Sequence, residues 1–541
     1  MQDPVTEKHK NIILCSDGTG NSGGKGHGTN VWRLFNAVDQ AVPVGRDEDT
    51  EPLQIAFYDD GVGTQKFKLL KVIGGAFGFG LSRNIRELYT FLVNNYRPDD
   101  RIFLFGFSRG AFTVRSLSGL IQKCGILDLE KISDDGMPDI IQVRKAVRRA
   151  FRAYRWERWK KRNFLFRTIA KIRSTDQTAT IRDELSHPSS SICCIGVWDT
   201  VDAIGVPQDS LRWVIDKLFC VGFHEHDLSP AVRRGFHALA IDDERSTFHP
   251  VMWDEKLTRD RAADSGENQE IEQVWFPGVH SNVGGGYPRQ GMAFVSLEWM
   301  MDKAVECGLR FKPLAREEIR NGINPHDLLY DSRSGFASYY RYGPRDINSI
   351  CADNGMGTPK VHVSAFERVG RATLEYAPGN LPFEVSLIGE STLSEEELRD
   401  HLRELKKLKG IKAPSLRSEY RGLVRARSWL QMAFVTLTVA VIAGVYLCHK
   451  MTITAPRPDG VVARSFDWLF NFAATLLPEF LRGFLGSTSA YFQLHPGRLV
   501  IAVAVFVLLF TIRWLLHKST DSRYEAFWAK ARLFVRQRRS S

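Results

Sequence analysis

From Asn11 onward the chain repeats one alternation: short apolar runs that end in polar or glycine-rich sequence, then stretches with apolar residues at helical spacing. "NIILCSD", "LQIAFYDDGVG", "IFLFGF", "SICCIGVWDTVDAIG" and "QEIEQVWFPGVHSNVGGGY" read as strands. Several of these runs are apolar throughout, as in strands covered on both faces. "VWRLFNAV", with Asn30 before it as a helix cap, "LSRNIRELYTFLVNNY" and residues 111–120 read as helices between them. This order predicts an α/β domain over residues 1–395, a mostly parallel sheet flanked by helices. In such sheets ligands sit beyond the carboxyl ends of the strands, where the polar sequence falls here. Cys193 and Cys194, neighbours in one strand, are expected to face opposite ways.

Beyond a basic linker at 396–427, the pattern changes to that of a helical membrane region at 428–541. "WLQMAFVTLTVAVIAGVYL" (residues 429–447) holds no charge and is long enough to cross a hydrocarbon layer of about 30 Å. "LVIAVAVFVLLFTIRWLL" (residues 499–516) carries only Arg513, near its end. Arg421, Arg425 and Arg427 precede the first run, and Lys518 to Arg539 contain a basic tail after the second. The positive-inside rule then puts the α/β domain and the tail in the cytoplasm and residues 448–498 on the far side. Residues 465–486, rich in Phe and Leu but broken by Asp467, Pro478, Glu479 and Arg482, read as an interfacial helix.

The net charge of +11 and pI near 9.2 call for an acidic partner. Two apolar spans in the same chain favour a lipid surface over nucleic acid. Residues 143–173 form a basic amphipathic insertion whose apolar face could meet lipid or pack on the domain. Eight cysteines without a C-x-x-C spacing suit a reduced compartment and offer no metal site. The polar N-terminus lacks the apolar core of a signal peptide. "GGKGHG" fails as a P-loop, because Gly26 follows Lys25 where Ser or Thr is needed.

The candidate chemistry begins at "GFSRG". Gly106 and Gly110 bracket Ser108 between a buried strand and a helix, the spacing that holds a serine on a sharp turn with its hydroxyl exposed. A serine needs a base, and the base needs an acid to fix its tautomer. His280, past a strand and before a glycine run, is the candidate base; His237 in the helix-like "FHALAIDDER" and His249 are weaker. Asp199, at the end of "CCIGVWD", is the candidate acid, with Asp202, Asp242 and Asp17 as alternatives. The oxyanion would be held by backbone N–H groups of Arg109 and, from the "SDGTG" loop, of Gly18. This chemistry needs neither metal nor organic cofactor.

"CSDGTGN", "TNVWRL", "YDDGVGT", "NYRPDDRIFLFGFSRGAFTVRSL", "IGVWDTVDAIG", "FHALAIDDER" and "VWFPGVHSNVGGGYP" occur in that order. Together they closely resemble an α/β-hydrolase family of otherwise unknown function that includes the first class of type VI secretion phospholipase effectors. The resemblance implies an α/β-hydrolase fold, Ser108 as nucleophile, His280 as base, an acid placed at Asp199, and hydrolysis of phospholipid esters. Gly20 stands where the family commonly has Trp, Asp202 where Gly is common, and Asn282 where Asp is usual, which removes a carboxylate two residues from the base. The expectation is a membrane-anchored serine hydrolase acting on a lipid or phospholipid ester. Its rivals are a catalytically quiet hydrolase-fold interaction protein and an esterase for soluble esters.

Overall fold

The computed structural model describes residues 9–18, 26–41, 53–61, 76–133, 136, 138–162, 177–188, 191–201, 227–266, 268–334, 337, 340–389, 413–452 and 496–539. The chain divides into two compact units: Met1–Tyr340, Pro344–Glu419 and Trp528–Ser541 in the first, Arg341–Gly343 and Tyr420–Phe527 in the second.

In the first unit the described strands are β1 (Asn11–Ser16), β2 (Gln54–Asp59), β3 (Arg101–Phe107), β4 (Ile192–Trp198), β5 (Val232–Ala240), β6 (Glu270–Phe276), β7 (Lys360–His362) and β8 (Ser386–Ile388). They form one sheet in the order β2-β1-β3-β4-β5-β6-β7-β8, and every neighbouring pair is parallel. Strand alternation divides the apolar residues between two cores. Ile12, Leu14, Ile102, Leu104, Ile195 and Val197 pack on one face. Ile13, Cys15, Phe103, Phe105, Cys194 and Trp198 pack on the other. Helices α2 (Ala76–Asn95), α3 (Arg109–Cys124), α4 (Ile140–Arg162) and α5 (Gln177–Leu185) cover the first face. Helices α1 (Asn30–Ala37) and α6 (Gly291–Glu306) cover the second. Burial on both faces is why the strands read as unbroken apolar runs. The "FHALA" segment, read as helix-like, is strand β5, paired on both sides by β4 and β6.

One irregularity matters. Ile102 pairs with Ile192 but Phe103 pairs with Cys194, so Cys193 is an extra residue in β4, a bulge against β3. The bulge resets the alternation. Cys193 and Cys194 therefore both lie toward the second face, where the Cys193 thiol lies 3.5 Å from the Cys307 carbonyl oxygen, instead of facing opposite ways.

Chain order reverses at β1, which lies between β2 and β3. The crevice at such a reversal, beyond the carboxyl ends of β1 and β3, is where this architecture binds ligands.

The second unit contains most of two long helices, α7 (Arg421–Thr452) and α8 (Pro496–Arg539). Their contacts run antiparallel: Tyr420 meets Tyr524 at 6.1 Å, Arg427 meets His517 at 2.8 Å and Phe434 meets Phe506 at 5.5 Å. Val500, Ile501, Val507, Leu508, Phe510 and Leu515 are exposed. Among the described residues one stretch, Val503–Ala531, is long and apolar enough to cross a membrane, where the sequence suggested two spans. The expected interfacial helix at 465–486 lies outside the described residues.

Candidate active site

Strand β3 ends at Phe107 and α3 begins at Arg109, so Ser108 alone makes the turn. Its backbone sits at φ 58°, ψ −119°, outside the regions favoured by L-residues. Such strain costs on the order of 1–3 kcal/mol and persists only where its surroundings over-determine it. Here they do. Ser108 N–H donates to the Trp198 carbonyl at 3.0 Å and its own carbonyl accepts from Phe112 N–H at 3.3 Å. A Cβ on Gly106 would lie 2.6 Å from the Gly110 oxygen, and one on Gly110 would lie 2.0 Å from the Ser16 oxygen. The bracketing glycines are therefore steric requirements of the turn, and the second lets the elbow sit against the end of β1.

Asp199 is the first residue beyond β4, the strand next to β3, and it too has positive φ, 40°. Its N–H donates to the Ala238 carbonyl at 2.7 Å. Its side chain is fully buried. Oδ1 accepts from Ala240 N–H at 3.0 Å and Arg345 Nη1 at 2.6 Å; Oδ2 accepts from Arg345 Nη2 at 2.8 Å and lies 2.5 Å from His280 Nδ1. An ionised carboxylate only accepts, so His280 donates from Nδ1 and carries its basic lone pair on Nε2.

His280 begins a short helix, His280–Gly284, just after β6. Its backbone N–H donates to Asp243 Oδ2 at 3.2 Å. Its buried ring is held between Phe107, centroids 4.7 Å apart, and the edge-on ring of Phe248 at 5.2 Å. Phe107 directly precedes Ser108, so the same side chain that ends β3 supports the imidazole. Gly284 has no side chain because a Cβ there would fall 2.0 Å from that ring.

The charges follow from this packing. Burial pushes the His280 imidazole below its ordinary value, and the Asp199 hydrogen bond only partly restores it. Burial also works against ionised Asp199, but the Arg345 charge and the hydrogen bonds from His280 and Arg345 outweigh it and hold the carboxyl well below the usual range. The resting arrangement is thus a neutral imidazole beside an ionised carboxylate.

Arg345 was invisible to sequence reasoning. It lies 146 positions beyond Asp199, is fully buried, and also donates through Nη2 to the Phe248 carbonyl at 2.6 Å. No motif spacing marks it. A parallel sheet simply brings a distant loop onto the end of β4.

The remaining sequence candidates fall elsewhere. Gly18 N–H donates to Asp17 Oδ1 at 2.6 Å. Asp17 Oδ2 accepts from the Thr29 hydroxyl at 2.6 Å and from Tyr58 Oη at 2.5 Å, which ties the turn after β1 together. Arg109 is the first residue of α3. His237 accepts from Thr200 N–H at 3.1 Å through Nε2 and contacts Gln273 at 3.3 Å, and burial lowers its pKa to about 3; it is a neutral hydrogen-bonding histidine of β5. Asp242 accepts from Gly278 N–H at 2.6 Å and Tyr376 Oη at 2.9 Å, and burial raises it to about 6. Asp202 lies outside the described residues. Asn282 is bonded to the 328–330 segment: its amide nitrogen donates to the Leu328 carbonyl at 3.0 Å and its oxygen accepts from Tyr330 N–H at 3.3 Å. Among the described residues no group of three or more His, Cys, Asp or Glu side chains is placed to share a metal ion.

Known proteins extend the picture. An uncharacterized protein of Saccharomyces cerevisiae is 23% identical, with 61% of this chain aligned to 62% of that protein; the chain thus spans about three fifths of that relative. The crystal structure of an uncharacterized protein from Pseudomonas aeruginosa aligns over 75% of this chain and 63% of that one, at 15% identity and a TM-score of 0.29. Residues 10–303, which contain Ser108, Asp199 and His280, match the model of the catalytic domain of Tle1-like phospholipase effectors of the type VI secretion system (T6SS), and the chain belongs to that family.

Proposed function

We propose that this protein is a membrane-anchored serine hydrolase of α/β-hydrolase type that cleaves a carboxylic ester of a phospholipid or related lipid. The family supports a lipid hydrolase. The observation that carries the serine mechanism is the 2.5 Å contact between His280 Nδ1 and Asp199 Oδ2, together with a serine on a strained strand-to-helix turn whose preceding residue, Phe107, packs on the His280 ring. In this reading Ser108 Oγ attacks the ester carbonyl and its proton passes to Nε2 of His280. Asp199 fixes the tautomer and stabilises the imidazolium. The tetrahedral oxyanion accepts from Arg109 N–H at the start of α3; the Gly18 N–H is engaged by Asp17. Collapse expels the alcohol, which takes the proton from His280. Water, deprotonated by the same ring, then releases the fatty acid and restores the serine.

The anchor is α8, with α7 as a second span. Their antiparallel contacts put Phe434 level with Phe506, so a layer that takes in one helix takes in the other. Basic residues at the outer ends favour the cytoplasm for both flanks.

Fluorophosphonate labelling of the detergent-solubilised full chain tests the chemistry. Labelling that vanishes in folded Ser108→Ala and falls sharply in His280→Ala is expected. A folded wild type that takes no label overturns the hydrolase and leaves a quiet scaffold. The lipid preference is read from release of fatty acid from phospholipid vesicles against a soluble ester.

A further inference from the structure

Helix α4 offered two alternatives in the sequence, insertion into lipid or packing on the domain. Its apolar stripe is used for packing: Val143, Val147, Ala150, Phe151 and Tyr154 are buried in the first core with residues of α2 and α3. That stripe cannot also enter a bilayer without opening the core.

What α4 presents outward is charge. Arg144, Lys145, Arg148, Arg149 and Arg152 are exposed and line a groove of about 1000 Å³ that, among the described residues, no carboxylate lines. Among the described residues none of these cations pairs with a carboxylate. The crowding is felt on the next helix, where Arg86 of α2 is held below its ordinary range by burial and then by the positive charge of Arg148. At the N-terminal end of α4, Ile140 and Ile141 are 71% and 75% exposed, and Ile141 borders the groove. Uncompensated guanidinium groups match phosphate oxygens in geometry as well as sign. Two exposed isoleucines beside them match the boundary where a headgroup meets acyl chains.

We propose that the groove along α4 binds the headgroup of an anionic phospholipid, its phosphate held by the arginine row and the adjoining chains against Ile140 and Ile141. This site is separate from the ester-cleaving site. It shares with the proposed function only the premise that the protein works on lipid.

The test uses the full chain in a neutral maltoside detergent, as Ser108→Ala so that no probe is hydrolysed. Binding of water-soluble dioctanoyl phosphatidylinositol bisphosphate and phosphatidylserine is compared with dioctanoyl phosphatidylcholine. Both anionic lipids should bind and the zwitterionic one should not. Arg148→Glu with Arg152→Glu, both exposed and so tolerated by the fold, should weaken binding on the order of tenfold or more. Ile140→Ser with Ile141→Ser should weaken the lipids while leaving inositol trisphosphate unchanged. Equal binding of phosphatidylcholine, or an unchanged charge-reversal variant, overturns the proposal. Inositol trisphosphate binding as tightly as the lipid reassigns the groove to a soluble phosphate and overturns it too. Fluorophosphonate labelling of the same charge-reversal variant with Ser108 restored separates a failure here from a failure of the serine chemistry, which it should leave intact.

Discussion

Arg345 grips both carboxylate oxygens of Asp199, at 2.6 and 2.8 Å, while Nδ1 of His280 lies 2.5 Å from one of them. The acid is thus clamped from behind by a buried cation and presents its remaining bonding capacity to the imidazole. Arg345→Met leaves the carboxylate buried and uncompensated, a loss of about 3–5 kcal/mol by analogy with other broken buried pairs. It also frees the full negative charge of Asp199 to act on His280. Because His280 lies below the ordinary histidine value of about 6.5, wild-type activity should be complete at neutral pH and fall as pH drops through a value under 6.5. In Arg345→Met that acid limb should move up by roughly one pH unit. Arg345→Lys, which keeps the charge and loses the fork, should shift the limb less. A pH profile of ester hydrolysis reads both; a lower rate with an unmoved limb means that Arg345 only supports the fold.

Gly110 gives the elbow its closest approach to the rest of the sheet. In Gly110→Ala the new methyl would meet the Ser16 oxygen at 2.0 Å, and backbone cannot yield as a side-chain tip can. We expect destabilisation of at least about 3 kcal/mol, the upper end of ordinary overpacking, seen as poor recovery of folded protein or a lowered Tm. Gly370→Ala, where nothing lies within 4 Å, should stay within about 0.5 kcal/mol of wild type. Similar melting of the two variants would contradict the steric account.

Asp59, at the end of β2, accepts from the Ser16 hydroxyl at 3.0 Å and is raised by burial to about 7. An acid whose folded pKa exceeds its unfolded value of about 3.9 holds its proton more firmly in the native state. Its contribution therefore favours folding at low pH and is lost as pH rises from about 4 through 7. Asp59→Asn should flatten that part of the stability curve, gaining most at pH 8 and least near pH 4. Chemical denaturation at the two pH values gives the difference directly.

Asn282 occupies the position where the family commonly has Asp, yet its amide is used from both ends, donating to Leu328 and accepting from Tyr330. Asn282→Asp turns a buried carboxylate oxygen toward a carbonyl, at a cost of about 1–3 kcal/mol. Tm should fall, and fluorophosphonate labelling of the folded fraction should not improve. Faster labelling would mean that a carboxylate at this position assists the site.

The parts of this site that could be read from the chain are those set by short-range sterics or by strand ends. Gly106-Phe107-Ser108-Arg109-Gly110 is legible because two backbone approaches forbid any side chain at the glycines. Asp199 and His280 are legible because polar residues directly after buried runs collect at one edge of a parallel sheet. Arg345 and Phe248 were not, since their roles arise from loops that meet only after folding. Strands β7 and β8 are three residues each, too short to produce a pattern. The "FHALA" segment around His237 misled because an apolar run with one buried histidine looks alike as helix or strand until its neighbours are known.

The bulge at Cys193 carries a consequence for the chemistry at the far end of the same strand. Were Cys193 drawn into the ladder opposite Phe103, the partner of Phe107 would be Val197 instead of Trp198. Everything beyond would slide by one step of about 3.3 Å and turn to the opposite side. Asp199 would then lie a step too far along and would point away from His280. Looping that one residue out of the ladder acts as a phase setting, placed a whole strand away from the atoms whose alignment it decides. Deletion of Cys193 should accordingly spare the alignment, since Cys194 would still face Phe103 and Trp198 would still face Phe107.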